Sequence, residues 1–137
     1  GSLKSVIPRA LKPREVSGDM LGTVYYTHTM SERKSLMFDM SSTVIALPGG
    51  WGTFDELLEA LTLFQLNAYT PKIGLLNVGG FYEPFLTFMQ HLIKEEFLEE
   101  RALGFIVIAD TAEELFEKLD AHTRPDATAQ LSWTKKP

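Results

Sequence analysis

The segment Pro48-Gly49-Gly50-Trp51-Gly52-Thr53-Phe54-Asp55-Glu56 sets three glycines and a hydroxyl directly ahead of two carboxylates. It follows an apolar run, Thr43 to Leu47, and precedes a strongly helical pattern. A strand, a glycine-rich turn and a helix N-terminus in that order make a site for an anion. Glycine lets backbone approach a ligand closely, and the first-turn N–H groups have no intrahelical partners. Tight βα turns use glycine in many folds, but Pro-Gly-Gly-x-Gly-Thr is more specific than a lone pair of glycines. Thr53 can cap the helix or donate to a phosphate oxygen. A turn meant only to hold phosphate gains nothing from Asp55, Glu56 and Glu59 just behind it. The pattern therefore points to chemistry beside a phosphate.

The helix dipole alone accounts for an acid such as Asp55. Glu56 and Glu59 are three residues apart and share a face that Thr62 continues. Leu57, Leu58, Leu61 and Phe64 form the apolar stripe, which sets Glu56 near the boundary of core and loop. Arg33 is a second anomaly. Met30, Arg33, Met37 and Met40 recur at three- and four-residue spacing, so a guanidinium lies on an apolar stripe and calls for an anionic partner, for which the glycine loop's ligand or Glu56 would serve. Lys34 beside it reads as a solvated surface cation. Methionines are common on faces that adapt to flat apolar ligands. Pro8 to Glu15 reads as a charged connection. His28, His91 and His122 show no metal-ligand spacing and no nucleophile-histidine-acid order, the last two falling on helices.

Strand and helix patterns alternate along the chain. Val6-Ile7 ends a strand, Thr23 to Thr27 is a strand, and Ser31 to Ser42 a helix. Thr43 to Leu47 reads as a buried strand, and a helix from about Asp55 to Leu66 is closed by Asn67 and Pro71. Lys72 to Val78 is a strand that Gly79-Gly80 turns into a helix from about Tyr82 to Glu96, with Pro84 in its first turn. Phe105 to Ala109 is a strand, and Thr111 caps a helix ending near Ala121, with Glu114 in capping-box register. Phe81, Tyr82, Phe85, Phe88, Met89 and Leu92 give an aromatic-rich helical face, read as core or a subunit contact. The alternation implies an α/β, Rossmann-like, mostly parallel sheet with helices on both faces. The expected organisation is one domain over residues 1–123 and a loose tail from 124 to 137. The chain opens inside a strand, so either a small four- or five-stranded sheet or a truncated or split doubly wound domain is expected.

The 137 residues suffice for a core, and the formal net charge of −5 without a basic stripe argues against nucleic acid as a partner. No apolar run is long enough for a membrane-spanning helix, and no signal-peptide pattern is visible. The sequence has no cysteine, which removes thiolate chemistry and suits a reducing, cytoplasmic setting.

Met30-Ser31-Glu32-Arg33-Lys34 through Met37, taken with Pro48 to Glu56, resembles the Lonely Guy family of cytokinin riboside 5′-monophosphate phosphoribohydrolases, often labelled lysine decarboxylases. Ile7 to Leu11, Pro13-Arg14-Glu15, Gly74 to Val78 and Gly80-Phe81-Tyr82 support the match, which reaches about Leu119. The resemblance implies a Rossmann-type homodimer, with active sites near the subunit contact. It implies cleavage of the N-glycosidic bond of an N6-modified AMP to free base and ribose 5-phosphate, with no cofactor, metal or membrane. Arg33 and Glu56 would be the catalytic pair. Glu15, Lys34, Gly50, Trp51, Gly52, Thr53, Phe54, Asp55 and Thr62 would bind the nucleoside monophosphate. Positive charge building on the ribose would suit a carboxylate such as Glu56. The chain departs from the family at Ser31, Trp51 and Phe54-Asp55, and the family's opening strand-helix units with their own glycine-rich segment are absent. Two rival expectations remain: a nucleotide-binding protein without turnover, and a broader nucleotide N-ribosidase. A decarboxylase would need a pyridoxal-binding lysine and a phosphate cup, and neither stands out.

Overall fold

In the computed structural model, residues 2–11 and 22–123 are described, and they form two units that divide between Ser41 and Ser42. In the first, β1 (Lys4–Pro8) and β2 (Thr23–Thr27) are extended runs that pair in parallel, from Lys4 opposite Thr23 to Pro8 opposite Thr27. Helix α1 (Met30–Asp39) packs on both strands, with Phe38 its buried residue. It starts one residue earlier than the pattern suggests and stops three sooner. Thr29 caps it, accepting from the Glu32 N–H, while the Glu32 carboxylate accepts from the His28 N–H. This reciprocal cap draws the first turn back to Met30.

The second unit is a three-stranded parallel sheet in the order β3 (Thr43–Ala46), β4 (Lys72–Leu76), β5 (Ile106–Ala109). The strands stand in the register Val44–Ile73–Ile106 and Ile45–Gly74–Val107. Three helices connect and follow them: α2 (Trp51–Gln65), α3 (Glu83–Lys94) and α4 (Ala112–Ala121). Parallel strands need such crossovers, and their alternate residues then face two helical layers. Val107 and Ala109 pack with Leu115 and Leu119 of α4, against Ile45 and Leu76. Gly74 belongs to this face, because a Cβ there would come within 3.2 Å of both Leu115 and Leu119 methyls. Ile73 and Leu75, one residue out of phase, are fully buried on the opposite face. Each such burial contributes about 1.5–3 kcal/mol. The arrangement is α/β with open parallel sheets flanked by helices, Rossmann-like in kind.

Helix ends follow local chemistry. Asn67, at φ 54°, closes α2: its N–H bonds the Phe64 carbonyl and the Ala68 N–H bonds that of Leu63. Glu96, at φ 63°, ends α3 in the same way. β4 stops at Leu76, two residues short of the expected Val78, because Val78–Gly80 forms a 3-10 turn. The aromatic face splits, with Tyr82 and Met89 buried while Phe81 and Phe88 are exposed. His122 lies just past α4 with extended backbone, not on the helix. Among the described residues, no helix is long and apolar enough to cross a membrane. The segment expected as a tail lies outside the described residues.

Candidate functional site

The loop between β3 and α2 leaves the carboxyl edge of the sheet, where ligands of open α/β sheets bind. Helix α2 begins at Trp51, four residues before the expected start, with Gly50 at its N-cap. Gly52 and Thr53 therefore belong to the first turn, and Asp55 and Glu56 lie beyond it, so no acid stands in that turn. Thr53 is not the cap. Glycine at the N-cap offers no side chain to the first-turn amides, whereas Thr29 and Thr111 supply one to α1 and α4. Fifteen residues of aligned peptide dipole end at this turn.

The glycines differ in what surrounds them. A Cβ on Gly49 would run into Thr53 Oγ1, so that hydroxyl is packed against the loop backbone. A Cβ on Gly50 or Gly52 would meet nothing within 4 Å. Glu56 is four residues after Gly52, and helical side chains lean towards the N-terminus. The half-buried Glu56 thus shares a helix face with Gly52, one turn further on. Asp55 is exposed, and Trp51 is 93% exposed beside the loop. Phe54 turns inward, its ring edge-on to Tyr82 at 6.1 Å and to Phe85 at 5.5 Å. Gly50 to Glu56 are thus contiguous along the chain, with Phe54 facing the interior and Trp51 and Asp55 facing solvent.

Thr62 lies elsewhere on the same helix. It is nine residues past Thr53, about 13 Å along the axis at 1.5 Å per residue. Its hydroxyl donates to the Leu58 carbonyl at 2.7 Å. There it lines an apolar cavity of about 160 Å³ with Leu58, Leu61, Met89, Leu92 and Phe105. Arg33 and Lys34 are carried by α1 in the first unit, both half-buried, with the Arg33 Nε atom out of contact with water. Met30 and Met40 of the same stripe are exposed. Glu15, with Pro13 and Arg14, lies outside the described residues.

Sequence reasoning passed over Asn77. It is 3% exposed at the end of β4, and its side-chain oxygen accepts from the Tyr82 N–H at 2.7 Å. The Tyr82 hydroxyl donates to the Leu47 carbonyl at 2.6 Å, immediately ahead of Pro48. The signal was an amide side chain ending an apolar strand before Val78-Gly79-Gly80. Burial raises the Tyr82 phenol above its ordinary 10.0, so it stays a donor at neutral pH.

Pyridoxal chemistry would need a lysine at this loop. Lys72 instead bonds the Leu119 carbonyl, and Lys118 pairs with Glu114 at 2.6 Å and bonds the Ile108 carbonyl at 3.0 Å. Lys94 ends α3. These second-unit lysines do not fit a Schiff base at the glycine loop. No group of three or more metal-binding side chains occurs among the described residues.

The model of a family described as "Possible lysine decarboxylase" matches residues 1–119. The chain is 45% identical over 128 residues to the cytokinin riboside 5′-monophosphate phosphoribohydrolase LOG of Oryza sativa subsp. japonica, covering 93% of the chain and 52% of that protein. It is 41% identical to the enzyme named LOG2 of Arabidopsis thaliana (93% of the chain, 61% of the relative). It is 40% identical to LOG4 of the same plant (93% and 60%). The chain thus spans about half to three-fifths of the length of these curated relatives.

Proposed function

The chain belongs to the family described as "Possible lysine decarboxylase", and from that premise we propose that it hydrolyses the N-glycosidic bond of cytokinin riboside 5′-monophosphates, N6-modified forms of AMP. The observation that carries this reading is the glycine turn that opens α2, where a Cβ on Gly50 or Gly52 would meet nothing within 4 Å and Glu56 follows one turn later. Amides at a helix N-terminus suit the 5′-phosphate. A carboxylate one turn further on suits the positive charge that grows on the ribose as the bond to the base breaks. Water adds to the anomeric carbon, its proton passes to Glu56, and the base leaves with the bonding electrons and takes up a proton. The phosphate anchor holds the sugar in place and converts binding into proximity.

The names of the relatives support this substrate class, each being called a cytokinin riboside 5′-monophosphate phosphoribohydrolase. Arg33 as the second catalytic residue, and Glu15, Lys34 and Thr62 as substrate-binding residues, rest on the family motif. A homodimer in the cytoplasm completes the reading.

The test is Glu56→Gln in the full chain, assayed on isopentenyladenosine 5′-monophosphate and on AMP. Base release is expected to fall about 10²–10⁴-fold while affinity stays within about threefold. Release at the parental rate removes Glu56 from the mechanism. A parent chain that binds AMP yet frees no base from either nucleotide is a binding protein without turnover.

A further inference from the structure

The carboxyl ends of β3, β4 and β5 are tied together by one buried polar network around Asn77. Its N–H donates to the Ala109 carbonyl at 2.8 Å, joining β4 to the end of β5. Its carbonyl accepts from the Gly80 N–H at 3.1 Å, closing a turn in which Gly79 and Gly80 have φ of 60° and 73°, a backbone only glycine adopts readily. Its side-chain amide donates to Glu83 Oε1 at 2.9 Å, and the amide oxygen accepts from the Tyr82 N–H. The network leaves the Tyr82 ring fully buried, wedged against Phe54 and Phe85, with its hydroxyl on the Leu47 carbonyl. Leu47 is the last residue before Pro48, which has no N–H to offer, and two glycines follow. A Pro-Gly-Gly stretch has few restraints of its own, so a fixed carbonyl at its entrance sets where the amides of the next turn point.

We propose that Tyr82, seated by Asn77, is a positioning residue for the anion-binding loop, its hydroxyl holding the Leu47 carbonyl so that Gly49 to Thr53 stand ready for the nucleotide's phosphate. The proposal rests on the nucleotide reading of that loop. A loop ordered beforehand binds more tightly because the ordering cost is already met by the fold. Phe54 adds a second hold from the helix side, since its ring rests on that of Tyr82.

Tyr82→Phe keeps the ring and deletes the hydroxyl. In the full chain, amide hydrogen exchange of Phe54, whose N–H bonds the Gly50 carbonyl at 3.1 Å and closes the first turn on the loop, is expected to speed up about tenfold, the size of one lost hydrogen bond. Affinity for AMP should weaken by a similar factor, while affinity for adenosine, which lacks the phosphate, stays put. Glu83→Ala, which removes one partner of Asn77 at an exposed position, should shift both readouts the same way by a smaller factor. A Phe54 amide exchanging at the parental rate in both variants overturns the proposal, even if melting temperatures drop. A parent that binds AMP no better than adenosine defeats the phosphate reading of the loop, and the exchange rates alone then decide the role of Tyr82.

Discussion

Gly52→Ala separates what the fold needs from what a ligand needs. Gly52 is the second residue of α2, and a methyl there meets nothing within 4 Å. Helix propensity favours alanine over glycine by about 1 kcal/mol in a helix interior. At the second position about half of that applies, so the variant should be more stable by about 0.5 kcal/mol. For a chain of this size that is roughly 2 °C in melting temperature. The methyl would stand beside the first-turn amides, where the proposal places the phosphate. Displacing the ligand from one good amide contact costs at least about 1.4 kcal/mol, a tenfold loss of affinity. Differential scanning calorimetry and titration calorimetry with AMP read the two effects on one sample. A more stable variant that binds AMP as tightly as the parent refutes the reasoning, because the space over Gly52 would then not be where the nucleotide lies.

Gly49→Ala should behave oppositely: its methyl collides with Thr53 Oγ1, and overpacking of this kind costs about 1–3 kcal/mol, measurable by urea denaturation. Glu96→Gly should gain about 0.5–1 kcal/mol in the same assay, since Glu96 holds φ at 63° at the end of α3; an unchanged midpoint would contradict it. The Tyr82 phenol, raised by burial, keeps its proton in the fold while the unfolded chain loses it near 10.0. The unfolded state then binds fewer protons, so stability falls as pH rises past that value. The stability advantage of the parent over Tyr82→Phe should accordingly shrink between pH 8 and pH 11 in denaturant titrations.

The strand-helix alternation and the parallel pairing were legible because each element carries its own periodicity and punctuation. Asn67 and Thr111 are boundary signals that local chemistry fixes, and each marks the boundary it suggests, whereas Gly79-Gly80 lie in a 3-10 turn that ends β4 two residues early. The start of α2 was misplaced because Trp51 and Gly52 are poor helix formers, and only the N-cap geometry at Gly50 shows that the first turn includes them. The same displacement moved Asp55 and Glu56 a full turn away from the amides. Asn77 escaped notice since its importance lies in bonds to Tyr82, Glu83 and Ala109, which no spacing rule encodes. Phe88 was grouped with the core on helical periodicity, yet burial depends on what lies opposite, and the side chain is exposed. The stretch from Gly50 to Glu56 was expected as one site because it is contiguous in sequence, though helical geometry turns Phe54 towards Tyr82 and Phe85. Arg33 and Lys34 stand on another unit; the methionine stripe suggested the loop's ligand or Glu56 as a partner for Arg33, while the grouping of Lys34 with that loop came from the family motif alone.

Trp51 gives this loop an optical signal of its own. An indole 93% exposed emits as it does in water, and a ligand that settles against it dries one of its faces. The second tryptophan, Trp133, lies outside the described residues, and Trp133→Phe leaves a single emitter. Occupancy can then be followed as a blue shift of emission in stopped flow, with no label and no turnover.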